Sequence, residues 1–215
     1  MIELRKDLPP LPQRMRSLPL DHRGFPVPWF VAWIDGQADF RVVEAGRLVA
    51  AVKQNLCWLC GQPKGRHHAF VIGPMCAINR TISEPSSHLE CAEFAVKACP
   101  FMTQPRMRRN EKDLPEARVD AAGVGLKRNP GAVCIWVTRE FKLFRVDNGV
   151  LFQLGDPERV LWFAEGRRAT REEVQASIDS GLHLLRQPAE EQGPEALAEL
   201  NRYIERMQPL LPIAA

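Results

Sequence analysis

The chain has 215 residues, 45% of them hydrophobic, and its formal net charge is +3. This length allows one domain or two small ones, and the composition supplies enough apolar side chains for a packed core, which excludes a disordered or fibrous protein. The mild positive charge permits contact with nucleic acid without requiring it.

Neither export nor membrane insertion is expected. The chain has no run of about 18 apolar residues. Its first twenty residues, MIELRKDLPPLPQRMRSLPL, carry prolines and charges in place of the apolar core of a signal peptide. The sequence therefore predicts a cytoplasmic protein whose six cysteines are reduced.

The N-terminal part divides into two predicted segments. Residues 1–28 are rich in proline, and LPPLP at residues 8–12 favours an extended polyproline backbone, so we expect a flexible or loosely docked arm. Residues 29–56 contain PWFVAWIDG and ADFRVVEAG, which predict a strand pair with a tight turn at Asp35 and Gly36. The run RLVAAVKQNL that follows suits a short helix or another strand.

Residues 57–105 hold five of the six cysteines and form the predicted zinc-binding unit. In Cys57-x-x-Cys60 the spacing lets two thiolates from a tight turn reach one metal ion, and the glycine that follows tolerates the backbone of such a turn. His88 and Cys91 lie three residues apart at the start of a predicted helix, so both side chains share one face. These four residues predict one tetrahedral Zn²⁺ ion, and four protein ligands indicate a structural role.

Other residues of this unit are weaker candidates for the metal. Cys76, in FVIGPMCAIN, is an alternative fourth ligand in place of the histidine. Cys99 lies eight residues beyond Cys91, about 12 Å along a helix, which is too far for one ion. The adjacent residues His67 and His68 would point to opposite sides of a strand. Cysteines packed as small hydrophobic side chains without a metal are the remaining alternative.

The zinc-binding unit resembles the treble-clef zinc fold. The resemblance rests on CWLCG and HLEC and covers residues 57–100, about a fifth of the chain. It consists of a knuckle, a strand-rich middle, and a helix, capped by Ser86 or Ser87, whose first turn supplies the second ligand pair. The resemblance leaves the function open, because treble clefs bind nucleic acid, bind proteins and serve as nucleases.

The order of His68, Asn79 and His88 is similar to that of the HNH nucleases, in which such residues bind and orient a catalytic metal. The pattern then departs from that motif, because Ala92 stands where the motif carries its helix histidine and His88 is already required by the zinc ion. Phosphate-binding glycine loops, G-x-S-x-G and H-E-x-x-H are absent from the sequence. The sequence favours a binding protein over an enzyme, with an HNH-like nuclease as an alternative.

Basic residues indicate nucleic acid as a candidate partner. Residues 106–130 contain seven basic and four acidic residues and predict a polar loop or linker. If the basic side chains around the zinc-binding unit converge on one face, they would contact phosphates. They are Lys64, Arg66, Arg80, Arg106, Arg108 and Arg109. The competing candidate is a protein partner, since the chain has five tryptophans and one tyrosine, and exposed tryptophans mark interfaces.

Residues 131–215 predict an antiparallel sheet followed by two helices. The strands are expected at AVCIWVT, FKLFRV, VLFQL and RVLWFAEG, with a turn signal at residues 147–149. Thr170 and Glu173 match a capping box, which predicts a helix from about Arg171 to Ser180 that ends at a glycine. The last helix is expected over residues 194–207, with one apolar face.

Four segments together look like small uncharacterised proteins of bacteriophages and prophages: RGFPVPWFV, AFVIGPMCAINR, HLECAEFAVKACPF and LFQLGDPERVLWFAEGRRATREEV. The resemblance implies a cytoplasmic setting, the host cytoplasm if a phage encodes the chain. We expect an α+β protein with a central treble-clef-like zinc unit, which can share one core with the C-terminal sheet. Its expected function is that of a nucleic-acid-binding accessory protein, or alternatively of a phage-type adaptor or inhibitor of a host protein. Zn²⁺ is the one cofactor expected.

Overall fold

The computed structural model describes residues 2–116, 118, 122–123 and 127–213. Across these ranges the chain mixes helices and strands, in agreement with the α+β expectation. The strands are β1 (Val31–Ile34), β2 (Gln37–Val43), β3 (His68–Ile72), β4 (Thr81–Ile82), β5 (Val133–Thr138), β6 (Phe141–Val146), β7 (Gly149–Leu154), β8 (Arg159–Ala164) and β9 (Arg167–Arg168). The helices are α1 (Arg47–Lys53), α2 (Pro74–Asn79), α3 (Leu89–Ala98), α4 (Pro100–Thr103), α5 (Arg171–Gly181), α6 (His183–Gln192) and α7 (Pro194–Met207).

The strands form three antiparallel sheets. β1 and β2 make a sheet of their own, a second sheet has the order β3-β5-β8-β9, and a third has the order β4-β7-β6. The expectation of one C-terminal sheet is therefore wrong. The C-terminal strands divide between two sheets, and each of these includes one strand from the region around the cysteines.

The composition of β5 explains this division. All six of its residues are buried, and an apolar strand of this kind is most stable in the middle of a sheet. It pairs with β3 along one edge and with β8 along the other. Four of the six residues of β6 are exposed, and this strand pairs with β7 through the expected turn at Asp147 and Asn148.

Side chains of β5 alternate between two hydrophobic layers. Cys134 and Trp136 face the larger layer, which also takes side chains from α2, α5 and α7. Ile135 faces the other layer, where Ala92 and Val96 of α3 pack against it. Helix α3, which carries candidate metal ligands, is therefore fixed on the same sheet as the C-terminal strands.

Three helices follow β9 in place of the two expected. The capping box of α5 is confirmed: the hydroxyl of Thr170 accepts from the N–H of Glu173 at 3.3 Å, and the carboxylate of Glu173 accepts from the N–H of Thr170 at 2.9 Å. Helix α7 spans the expected residues. Helix α6 was not expected, and it contains Pro188, a residue that disfavours a helix interior. Burial of Ala189 against the core accompanies its formation.

The N-terminal strand pair forms as expected. Asp35 and Gly36 make the turn between β1 and β2 with φ values of 48° and 77°. The segment that suited either a helix or a strand is helical, as α1.

Candidate metal centre

The segment around Cys57 and Cys60 folds into a short hairpin. Leu56 and Pro63 form an antiparallel bridge, and the N–H of Gly61 donates to the carbonyl of Cys57 at 2.9 Å. Gly61 has a φ of +73°, a left-handed conformation that favours glycine. The N–H of Cys60 donates to Sγ of Cys57 at 3.4 Å, so the turn brings the two cysteines together.

The second pair of candidate ligands comes from the start of α3. His88 is the N-cap residue, with an extended backbone, and Cys91 lies in the first turn of the helix. The expectation that Ser86 or Ser87 caps this helix is wrong. Both serines are buried and precede the first residue of the helix. Ser87 forms an antiparallel bridge with Ala69 of β3.

The four candidate ligands converge. The sulfurs of Cys57, Cys60 and Cys91 and a ring nitrogen of His88 all lie within 4.8 Å of one another. Nδ1 of His88 is 3.4 Å from Sγ of Cys60 and 3.9 Å from Sγ of Cys91. Ligands at about 2.0–2.3 Å from a tetrahedral zinc ion lie about 3.5–3.8 Å apart. The observed separations therefore suit a single central ion.

Hydrogen bonds orient the ligands around this centre. Nε2 of His88 lies 3.1 Å from the carbonyl oxygen of Pro63, which accepts the ring N–H and leaves Nδ1 free to face the sulfurs. Hydrogen bonds from the thiols of Cys60 and Cys91 lower the pKa of Cys57, and the same bonds raise the pKa of the two donors. A divalent cation would take the place of these protons and bind the cysteines as thiolates.

The N-terminal arm covers the cluster. Cys57 and Cys91 are fully buried, and Cys60 is 7% exposed. Met15, which is 2% exposed, packs with the three cysteines and Phe94 of α3 in one apolar cluster. Water is therefore kept away from the sulfurs by a segment that lies more than 40 residues before the first of them.

Polar contacts and one aromatic ring hold the segments around the cluster together. Nε of Arg14 donates to the carboxylate of Glu90 in α3 at 2.9 Å, and the side chain of Gln62 donates to the carbonyl of Arg14 at 3.1 Å. The ring of Trp29 lies so close to Gly61 that an added Cβ would come within 2.5 Å of it. The packing of the N-terminal arm over the cysteine cluster was not predicted from the sequence. The one sequence pattern that indicates this packing is the recurrence of apolar residues between the prolines of the arm.

The remaining cysteines lie apart from this cluster. Cys134 of β5 is buried in the larger core, and burial raises its pKa. Cys76 of α2 packs against the same core, where burial raises its pKa to about 11. Cys99 follows the end of α3. The histidine, and not Cys76, is the fourth member of the cluster.

Two residues that resemble the nuclease motif make local structural contacts. His68 is buried, its Nδ1 lies 3.1 Å from Oγ of Ser86, and its ring packs edge-on against Phe141. Burial lowers the pKa of His68 to about 4. The side-chain oxygen of Asn79 accepts from the N–H of Thr81 at 2.9 Å. One polar atom of each side chain is therefore engaged within the fold.

Two of the basic residues predicted to contact nucleic acid are engaged within the protein. Nζ of Lys64 donates to the carbonyl of Leu56, and burial lowers the pKa of this lysine to about 8. Arg80 forms an ion pair with Asp156 at 2.7 Å and lies over the ring of Trp136.

The other four basic residues, Arg66, Arg106, Arg108 and Arg109, are exposed. The guanidinium of Arg109 donates to the carbonyl of Arg41 at 2.6 Å, which fastens this segment to β2. Three of the four share one loop, whereas Arg66 follows the knuckle.

Exposed tryptophans would favour a protein partner, but most of the tryptophans are buried. Trp58, Trp136 and Trp162 are buried, whereas Trp33 on β1 is 45% exposed.

Comparisons of the chain with protein-family models, with curated proteins and with solved structures found no match. Among the helices of the described ranges, none has both the length and the apolar character needed to cross a membrane. The geometry of the site is therefore the basis for its interpretation.

Proposed function

We propose that Cys57, Cys60, His88 and Cys91 bind one zinc ion and that this ion has a structural role. The convergence of their ligand atoms within 4.8 Å carries the proposal. Thiolate and imidazole ligands suit zinc and not the hard cations Mg²⁺ and Ca²⁺. Four protein ligands in a buried cluster leave no open position for a substrate, which is the property of structural sites.

The surroundings of the cluster support a treble-clef arrangement. The bridge between Ala69 and Ser87 pairs β3 with the segment that leads into α3. The knuckle is thus followed by a hairpin and then by the helix that carries the second ligand pair. In this interpretation, residues 74–82 are an insertion between the two arms of the hairpin.

A nucleic-acid-binding role is the second part of the proposal. Arg66, Arg106 and Arg108 are exposed and, in the described part of the chain, their side chains have no ion-pair or hydrogen-bond partner. Lys64 and Arg80 contribute less, because they already have partners within the fold. Phosphate contacts from such arginines give an affinity that falls as the salt concentration rises.

Elemental mass spectrometry of protein purified without added metal tests the zinc site. We expect one zinc ion per chain that remains bound through gel filtration and is released by acid. Protein that is folded and free of zinc, or that carries another metal in stoichiometric amount, would contradict the proposal.

Fluorescence anisotropy with labelled single-stranded and double-stranded oligonucleotides over a range of salt concentrations tests the second part. The variant R106E/R108E should bind more weakly and reduce the slope of log affinity against log salt by about 2. A matched control with the same change in net charge is R186E/R202E, on α6 and α7, which should behave as the wild type. Equal binding by all three proteins would reject these arginines as phosphate contacts and leave the zinc proposal intact.

A further inference from the structure

Among the residues that the structure describes, strand β6 forms an open edge of its sheet. It is the terminal strand of the sheet β4-β7-β6, so its outer backbone edge has no strand neighbour in that sheet. The four central residues of the strand are exposed, including the large apolar residues Leu143, at 43%, and Phe144, at 39%. Edge strands of this kind are templates for pairing with another chain.

The register of β6 on β7 assigns these side chains to faces. Residues directly opposite each other in an antiparallel pair share a face. Leu143 is opposite Phe152, which is buried, so Leu143 and Arg145 lie on the side of the core. Lys142 and Phe144 lie on the other side. Each face of the strand therefore offers one large apolar side chain and one cation.

The two cations are available to a partner. Lys142 and Arg145 are exposed, and within the described residues neither side chain has an ion pair or a hydrogen bond. Arg139, two residues before the strand, is already paired with Glu158 at 2.6 Å, and the acidic residues Glu140 and Asp147 lie just outside the two ends of the strand. Within residues 141–146 Lys142 and Arg145 are the only charged side chains, so the strand itself carries a charge of +2.

The strand is also held in place before any partner arrives. Phe141, its first residue, packs its ring against Phe70 and Phe152 at centroid distances of 5.6 Å in both cases. Six consecutive residues pair with β7. A partner strand would therefore meet a preformed edge and would not have to order it, which lowers the entropic cost of binding.

We propose that β6 binds an extended acidic segment of a partner protein, which adds to the edge as a further strand. Main-chain hydrogen bonds along the edge would supply affinity, and side-chain pairs would supply selectivity. The order of the side chains in β6 is cation, apolar, apolar, cation over residues 142–145. A complementary strand therefore reads acid, apolar, apolar, acid, and this pattern is the same for parallel and antiparallel addition.

The same charges disfavour a second copy of this chain as the occupant. When two copies of β6 pair antiparallel in full overlap, Lys142 lies opposite Arg145 of the other copy, and like charges directly opposite each other are destabilising. Nucleic acid would satisfy the charges but cannot use the open backbone edge as a strand does. An acidic strand satisfies both features.

Fluorescence anisotropy with short labelled peptides tests the proposal on the zinc-loaded full chain. The probe is the capped peptide Thr-Glu-Val-Ile-Glu-Thr. Three controls accompany it: the permuted peptide Thr-Val-Glu-Glu-Ile-Thr, the charge-inverted peptide Thr-Lys-Val-Ile-Lys-Thr, and the probe with alternate backbone nitrogens methylated. We expect saturable binding of the probe and binding at least about tenfold weaker for each control. The charge-inverted peptide loses the charge pairing, the permuted peptide loses the register, and the methylated probe loses main-chain hydrogen-bond donors.

Charge reversal on the protein provides the complementary test. The variant K142E/R145E should bind the probe about tenfold more weakly and should gain affinity for the charge-inverted peptide. R186E/R202E carries the same net charge and should bind as the wild type. Unchanged thermal melting of all three proteins, together with one zinc per chain, would show that the variants remain folded.

Several results would overturn the proposal. They are the absence of saturable binding up to about 1 mM peptide, equal affinity for the probe and the permuted peptide, and equal loss of binding in both charge-reversal variants. A protein that ignores the probe but binds oligonucleotides through Lys142 and Arg145 would reassign the surface to nucleic acid. A dimer that the single change Lys142→Glu strengthens, by placing a glutamate opposite Arg145 of the other copy, would reassign it to a second copy.

Discussion

Nδ1 of His88 lies 3.4 Å from Sγ of Cys60, although 28 residues separate them in the chain. This contact joins the knuckle to the first turn of α3. Neither half can complete a tetrahedral site alone, and an unfolded chain holds no preformed site. In the zinc-bound protein that we propose, the free energy of metal binding therefore contributes to the free energy of folding.

Replacing Cys57 or Cys91 by serine should remove the metal and destabilise the fold. We expect the free energy of unfolding to fall by more than about 3 kcal/mol, because structural zinc binds such sites with about 10 kcal/mol or more. Urea denaturation, with zinc content measured on the same samples, checks this. Cys99→Ser is the matched control and should retain zinc with a change within about 1 kcal/mol. A C91S variant as stable as the wild type would contradict a structural role for the metal ion.

Substitution of the metal by cobalt(II) should report the number of sulfur ligands. Cobalt(II) bound to thiolates gives a charge-transfer absorption that grows with the number of sulfur ligands, so His88→Cys should exceed the wild type and C91S should fall below it. His88→Ala should bind cobalt more weakly and retain three thiolates. Cys76→Ser should match the wild type, because Cys76 lies in the larger core. A loss of intensity in C76S would instead make Cys76 a ligand.

Gly61→Ala should weaken the knuckle for two reasons. The φ of +73° is unfavourable for any residue with a Cβ, and that Cβ would lie 2.5 Å from the ring of Trp29. We expect a loss of about 1–3 kcal/mol in unfolding free energy, since strain and overpacking add. Gly65→Ala is the control, because the space around Gly65 is open, and it should change stability by less than about 0.5 kcal/mol. Equal melting temperatures for the two variants would contradict this account.

Predictions from the sequence succeeded where the determining interactions are local. The spacing of Cys57 and Cys60, the capping box of α5 and the turn between β6 and β7 each depend on residues within a few positions of one another. The helical start that carries His88 and Cys91 is equally local. Short-range patterns of this kind survive in almost any tertiary context.

Predictions failed where distant segments compete for the same partner. The pairing of β3 with β5 joins residues more than 60 positions apart, and no local pattern in either strand specifies it. Ser87 matches a helix cap by type, but pairing with Ala69 takes its backbone into a bridge. Met15 lies in a proline-rich arm whose composition alone indicates a loose segment. Its burial follows from the apolar surface that the cysteine cluster offers.

Met15→Ala should loosen the arm. Met15 is 2% exposed and packs against the cysteine cluster, so the truncation should cost about 2–4 kcal/mol. Hydrogen exchange should rise across residues 8–18 in this variant, and chelation of the metal should raise it across the same segment. Val49→Ala, at a residue that is 54% exposed, should leave exchange unchanged. Equal exchange before and after chelation would show that the arm packs independently of the metal.

Glu173 should make stability depend on pH in the acid range. Hydrogen bonds from Arg167 and from the N–H of Thr170 lower the pKa of this carboxyl from 4.5 to about 2. Because the folded-state pKa lies below the unfolded value, the carboxylate stabilises the fold fully above about pH 4.5. That stabilisation is lost as the pH falls toward about 2.

Glu173→Gln should therefore be less stable than the wild type near neutral pH, by about 1 kcal/mol or less because the pair is partly exposed. The difference should shrink between about pH 4.5 and pH 2. Urea denaturation of both proteins at several pH values measures this difference. Protons also compete with a bound metal for its ligands at low pH, but both proteins carry the same ligands, so this effect cancels in the difference between them. Glu190→Gln, at an exposed position of α6, removes the same charge away from the capping box and is measured alongside as the control. A difference for E173Q that stays constant down to about pH 2 would mean that the capping contacts do not depend on the charge of Glu173.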